Sequence, residues 1–516
     1  MINGDVTTDV SAANVSIGGG LLTDISTNRG GHIASAFNNV SAGSALTAQT
    51  YLDFEIENAG FDNGSGFAPG GTIDADAILD VSAGNMSTGT DYFNALISND
   101  GGGHIGGSAI INVVASSGAI NAGTDAFFTI TNNQSTEGQP AGTIGGDAAI
   151  NVTATNISTG GGLFPTIDNS GGGSIGGNAN LEFGLKGDLT TQGDAIFTID
   201  NSNGGTIGGN ATIDVTATNI TANSLTAQID NTGGSIGAST EGSATINMNV
   251  SGTATVTNDA TVAIYGNDAG GPTAININGG NYNVGGTFLS YMDGNGTITF
   301  SNATAHADVL KAGVFGSNGT LNIGGGMLSA DTELKLYASG SNGSLNFLSN
   351  VTLGGGALTK ILAANTINIL DGVVVTIGGS TPADVYTNNA NYTGFGGNGT
   401  TTGTFAGAGA NNPQPLASAP PFGPSSPSRR NVRPGNHGAE NRGTINVGNT
   451  EELLALLDGA PVGPDGKIKI PGSKSRIDLK SLSRTDTNRL LRAERRMLMQ
   501  QTRDRTTARI GSRRAL

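Results

Sequence analysis

The sequence contains no cysteine and no tryptophan. Without cysteine there is no disulfide framework and no thiolate metal site. Proline is scarce over residues 1–410, because ten of the 15 prolines follow residue 410. Cations are scarce in the same stretch: Arg29, Lys186, Lys311, Lys335 and Lys360 stand against 31 carboxylates. A body this acidic repels nucleic acid and anionic membranes. No apolar run reaches the length of a membrane-spanning helix. The first residues, Met1-Ile2-Asn3-Gly4-Asp5, carry no basic and apolar signal-peptide pattern.

What is abundant is glycine, 85 of 516 residues, together with Asn, Ser and Thr. Such a composition fits disorder, but 36% of residues are apolar and many alternate with polar ones. Alternation marks strands with one buried face. The glycines lack the every-third spacing of collagen. An all-β repeat protein is the reading that remains.

The repeat is explicit. Ile105-Gly106-Gly107 returns as Ile144-Gly145-Gly146, Ile175-Gly176-Gly177 and Ile207-Gly208-Gly209, and then as Ile236-Gly237-Ala238. In the unit 143–170, Ala148, Ile150, Val152 and Ala154 alternate as one strand, and Leu163, Pro165 and Ile167 as another, separated by glycine runs. About three strands and three turns per unit of about 32 residues predict an all-β, right-handed parallel β-helix. Beyond residue 243 the anchors Ile275, Ile298, Leu321, Leu345 and Ile367 recur at 22 to 24 residues. The expected organisation is a β-helix of long coils over 1–242, one of short coils over 243–410, a Pro-rich linker over 411–440 and a small basic tail over 441–516. The longer stride is attributed to longer turns.

Asn99, Asn132, Asn169, Asn201 and Asn231 each follow an Ile by two residues. An inward Asn at a β-helix corner can bond the coils above and below, and it tolerates a left-handed backbone. The competing reading is that Asn is merely common in turns.

The strings IGG, INV and TLNIGGG, the Asn/Thr/Ser/Gly bias and the lack of cysteine resemble the β-helical passengers of bacterial autotransporters and filamentous-haemagglutinin-type adhesins. The resemblance covers roughly residues 1–410. It implies an extracellular or cell-surface location and a role in adhesion or matrix building. The chain departs from that pattern in showing no signal peptide and no C-terminal barrel strands. Asp9-Val10-Ser11-Ala12 repeats Asp80-Val81-Ser82-Ala83, so the pattern is already under way at residue 9. From this we expect the chain to be the C-terminal piece of a longer protein, or the product of an open reading frame that starts late.

The tail is basic, with 19 Lys and Arg against nine carboxylates after residue 410. Helices are expected from Asn449 to Asp458 and over about 487–506, and a short strand at Lys467-Ile468-Lys469-Ile470. The tail is read as a solvated or partly disordered segment, or as one that docks on an acidic partner, the rod itself included, or on an anionic membrane surface.

Catalytic, cofactor-binding and metal sites are not identified. The Gly pairs lack the Asp that calcium-binding nonapeptides require. His32 and His104 occupy a turn position equivalent to Thr143 and Ser174. Gly-x-Ser-x-Gly at 172–176 and 233–237 is repeat punctuation, not a nucleophile elbow. The expected function is therefore a non-enzymatic, exported structural or adhesive rod. Its turns would contact surfaces, glycans or sister molecules. The alternative is a glycan-active hydrolase or lyase on the same scaffold, which requires clustered carboxylates.

Overall fold

The computed structural model describes residues 4–27, 30–62, 67–134, 140–237, 242–266, 271–370, 372–379, 383–388, 400–402, 416–420, 422, 467–469 and 476–478. Two compact units separate at Phe422, Met1–Phe422 and Gly423–Leu516.

The first unit is a parallel β-helix. Alternation dictates its strands: Ala148–Ala154 buries every second residue and leaves the others half-buried or exposed. The buried set stacks in register from coil to coil. Val81, Val113, Val152, Phe183, Val215 and Met248 form one column, and Ile277, Phe300, Ile323, Phe347 and Ile369 continue it. Each step rises about 4.8 Å, the spacing of paired strands. Phenylalanines stack within the core: Phe54, Phe93, Phe128, Phe183 and Phe197 follow one another at centroid distances of 5.2 to 5.7 Å.

A long coil has four strands rather than three. In one coil they are Thr143–Ile144, Ala148–Ala154, Asn156–Thr159 and Leu163–Asp168. We call the last three face 1, face 2 and face 3, and the first the corner strand. The corner strands run from His32–Ile33 to Ser235–Ile236 and make a separate seven-stranded parallel sheet. Its core residue is the Ile of Ile-Gly-Gly. The short coils lack this side: Thr297–Ser301 supplies face 1, and Thr304–Val314 bends through faces 2 and 3. The fall in stride from about 32 to about 23 is thus the loss of one side of the coil, not a trimming of turns. A two-residue strand has too short a period to be seen in sequence. The 41-residue step from Val40 to Val81 has a separate cause: an antiparallel excursion, Phe61–Asp62 with Phe67–Ala68, leaves the stack.

The first unit extends beyond residue 410. Leu416–Ser418 forms a 3-10 turn, and Leu416, Ala419 and Phe422 pack on the outside of face 3 against Tyr337, Ile361 and Phe315. Part of the stretch read as linker therefore lies on the rod. In the second unit, Lys467–Lys469 pairs antiparallel with Arg476–Asp478. The two expected tail helices lie outside the described residues.

Candidate functional surfaces

The five asparagines singled out above lie in one buried column, each with no exposed surface. Asn99 donates its amide to Asn132 Oδ1 at 2.8 Å, Asn132 to Asn169 at 2.8 Å, Asn169 to Asn201 at 2.7 Å and Asn201 to Asn231 at 2.7 Å. Asn58, one coil above, donates to Asn99 at 2.7 Å and belongs to the same ladder. Thr27 holds the equivalent place one coil higher and donates its hydroxyl to Asn58 Oδ1. Each amide also donates to the corner strand of the next coil: Asn99 to Thr143 O, Asn132 to Ser174 O, Asn169 to Thr206 O and Asn201 to Ser235 O. The ladder and the Ile-Gly-Gly strand are one device. They end together, with Asn231 donating to Gly266 O. The column works through its amides rather than through a left-handed backbone. Among the described residues, positive φ outside glycine occurs at Asn203 and Asn302.

Face 3 is buried on both sides. All six residues of Leu163–Asp168 and of Ala195–Asp200 are buried. Its outer edge carries Asp168, Asp200 and Asp230 in register. Asp168 accepts from Asn133 Nδ2 at 2.7 Å and from Ser170 Oγ at 2.7 Å. Asp200 and Asp230 accept from the backbone N–H of Ser202 and Thr232. Burial, then the charges of Asp168 and Asp230, push Asp200 up to about 6. Three coils above Asp200, burial pushes Asp100 up to about 7, against hydrogen bonds from Asn133 N, Thr131 and Ser98. Higher on the face, Glu55 is raised to about 8 by burial and then by Asp53, Glu57 and Asp24. Asn94 bridges Asp53 and Glu55 at 2.8 and 3.2 Å.

These three acids give the fold a pH dependence with a definite sign. Each keeps its proton to a higher pH folded than unfolded, so the folded chain binds more protons and stability falls as pH rises. Their contribution is fully present below the ordinary values of 3.8 and 4.5 and is lost through about 6, 7 and 8. Glu333 runs the other way. Burial raises it, but Lys335 and Lys311 outweigh that and lower it, so its contribution is lost as pH falls. With three raised groups against one, the melting temperature is expected to drop by several degrees between about pH 5 and about pH 8. Asp100→Asn should flatten that slope, and a melting temperature that rises over the same range would contradict the assignment.

The lower coils of face 3 hold the cations of the short-coil region. Lys311 and Lys335 contact Glu333 at 3.0 and 2.7 Å. Lys360 stands in register with the core residue Leu334 and is 2% exposed, and burial lowers its pKa. Its stem runs past Gly354, where a Cβ would meet Lys360 Cε at 2.2 Å. An aromatic shelf of Tyr265, Tyr291, Phe315 and Tyr337 lies beside them and is covered by Phe422, 4.9 Å from Phe315 and 5.2 Å from Tyr337. Tyr337 donates its hydroxyl to Pro420 O.

Faces 1 and 2 are open outward and have a different chemistry. On face 2, Ser87, Asn121, Ser158, Thr190, Thr221, Thr255 and Asn283 form one outward column of uncharged hydroxyls and amides. Face 1 carries an outward Asn column whose amides bond one another, as in Asn276 to Asn247 and Asn368 to Asn346, both at 2.8 Å. Where the faces meet, a shallow depression is lined by Leu185, Lys186, Thr216, Thr218, Asn249 and Ser251. On face 2 each follows an inward apolar residue and precedes an inward Ala, Val or Thr at a fixed place in the repeat, a signal readable in the sequence.

The remaining candidates stay apart. Thr72 stands between His32 and His104 in the corner sheet. His32 pairs with Asp74 at 3.0 Å, and His104 bonds Thr143 Oγ1 at 2.7 Å. Ser174 and Ser235 of the Gly-x-Ser-x-Gly strings lie on corner strands, paired through Thr206. Among the described residues, no group of three or more His, Asp or Glu side chains has a geometry that holds a metal ion. Comparison with protein-family models, with curated proteins and with solved structures finds no match.

Proposed function

We propose that this chain is a non-enzymatic structural or adhesive rod, exported to the cell surface or beyond, whose open faces contact uncharged glycans, surfaces or sister molecules. The observation that carries the reading is the unbroken outward column of Ser, Thr and Asn on face 2, beside the Asn column of face 1. Uncharged donors and acceptors at one-coil spacing suit hydroxyl-rich partners and give no footing to phosphate. The exported location rests on the resemblance to autotransporter passengers and haemagglutinin-type adhesins. The basic tail is assigned to docking on an acidic partner or an anionic membrane.

The glycan-active enzyme is the second reading, favoured by the raised acids Glu55, Asp100 and Asp200. Against it, neither the depression beside Lys186 nor the one between Tyr337 and Leu416 is lined by a carboxylate. The purified chain is expected to be retained on neutral glycans without releasing reducing ends or unsaturated sugars. Turnover of any glycan that Asp100→Asn or Glu55→Gln abolishes would replace the adhesive reading with the enzymatic one.

A further inference from the structure

We propose that the outer side of face 1 in the short coils binds an ordered, uncharged polysaccharide whose chains lie along the stack. The inference deepens the adhesive reading and rests on it. The surface spans six strands, from Ala244–Val250 to Thr366–Ile369. Its central outward column is Asn247, Asn276, Thr299, Asn322, Asn346 and Asn368. The flanking outward positions on face 1 carry Thr, Ser, Asn, Ala and Gly, and none carries a charge. Higher in the same column, the face carries Asp80, Glu182 and Asp214. The neutral stretch is therefore confined to the short coils.

Three features point to a repeating ligand rather than a single sugar. First, the amides are already ordered. Asn346 donates to Asn322 at 2.9 Å, and Asn368 to Asn346 at 2.8 Å. Each such bond uses one N–H and leaves the other, with carbonyl lone pairs, for a ligand. Side chains held in this way have little rotamer freedom left to lose on binding. Second, the rows repeat every ~4.8 Å along the stack. An extended β-linked hexose chain advances by close to that distance per sugar, so successive sugars meet successive amides. Many weak contacts in register then act as one multivalent contact. Third, the lower edge of the lattice is apolar. Leu348 and Leu370 follow the paired residues Phe347 and Ile369 and are 40% and 48% exposed. They offer contact to the C–H faces of sugar rings, next to amides that meet the hydroxyls.

The test uses the full chain with microcrystalline cellulose as the ordered probe and soluble dextran as the disordered one. Retention on cellulose, unaffected by high salt, is expected, with far weaker binding to dextran. The double variant N322D/N346D is expected to lose about tenfold or more of that retention. It should fold, because Asp80, Glu182 and Asp214 occupy the same column in the upper coils, and an unchanged circular-dichroism melt verifies this. The corner-strand variant T143D/T206D, at two exposed positions off both faces, is expected to keep full retention, and the face 2 variant T221D/T255D separates this site from the wider adhesive reading. Equal retention of N322D/N346D and the unsubstituted chain overturns the site. Equal binding to dextran and cellulose overturns the ordered ligand. Inhibition of ice recrystallisation without retention on cellulose overturns the polysaccharide in favour of ordered water. Retention on cellulose lost only in T221D/T255D overturns this inference while leaving the adhesive reading intact.

Discussion

Gly176→Ala is expected to unfold the long-coil half of the rod, and Gly184→Ala, eight residues away, to leave it intact. A Cβ on Gly176 would lie 2.2 Å from Gly145 O, and Gly145 and Gly208 meet the coil above them at the same distance. The obstructing atoms are backbone, so no rotamer change relieves the clash. Nor can the upper corner retreat, because Gly176 N donates to Ile144 O at 2.8 Å and Asn132 holds Ser174 O at 3.0 Å. The change should cost more than about 3 kcal/mol and yield insoluble or partly melted protein. Gly184 instead faces outward on face 1, and its nearest neighbour, Thr153 Oγ1, is 4.0 Å away. A side chain there removes backbone freedom from the unfolded chain and should be neutral or stabilising by about 0.5–1 kcal/mol. Denaturant melts of the two variants test the contrast, and a Gly176→Ala protein as stable as its parent would refute the close-stacked corner.

The glycines show how far the sequence could be read. The Ile-Gly-Gly stride identified a stacked repeat, since a residue returning at fixed spacing leaves few other architectures. It did not separate two reasons for glycine within a few residues of each other. Gly171 and Gly172 have φ of 66° and 88° with neighbours no closer than 3.8 Å, so there glycine serves the dihedral. Gly176 serves only space. The Asn column was legible because it keeps register with an apolar neighbour. Its partners, the backbone carbonyls of His104, Thr143, Ser174, Thr206 and Ser235, were not, because a backbone acceptor leaves no mark in composition. The burial of both sides of face 3 was also hidden. Ile196, Thr198 and Asp200 alternate with core residues as an exposed set would, yet all three are buried. A buried Lys360 in register with Leu334 defeats any rule that places charge outside.

Asn169→Leu is expected to cost about 3–6 kcal/mol, from up to three buried polar groups left unpaired at about 1–3 kcal/mol each. Asn169 accepts from Asn132 Nδ2 at 2.8 Å and donates to Asn201 Oδ1 at 2.7 Å and to Thr206 O at 2.9 Å. Leucine is close in volume, so the loss isolates hydrogen bonding from packing. Position along the ladder then sets the size of the effect. Asn231, at the lower end, accepts from Asn201 and donates to Gly266 O at 3.2 Å. Asn231→Leu removes fewer bonds and should cost about half as much. Asn169→Asp supplies the chemical control. An ionised carboxylate would face Asn201 Oδ1 and Thr206 O, two acceptors, in a site without solvent. Burial and these acceptors raise its pKa, and only the protonated acid can donate to one of them. Its stability should therefore recover as pH falls, more steeply than that of the parent chain, while Asn169→Leu follows the parent slope. Equal losses for Asn169→Leu and Asn231→Leu, or parallel pH slopes for Asn169→Asp and the parent, would mean that the column fills space and that its amides do not hold the coils together.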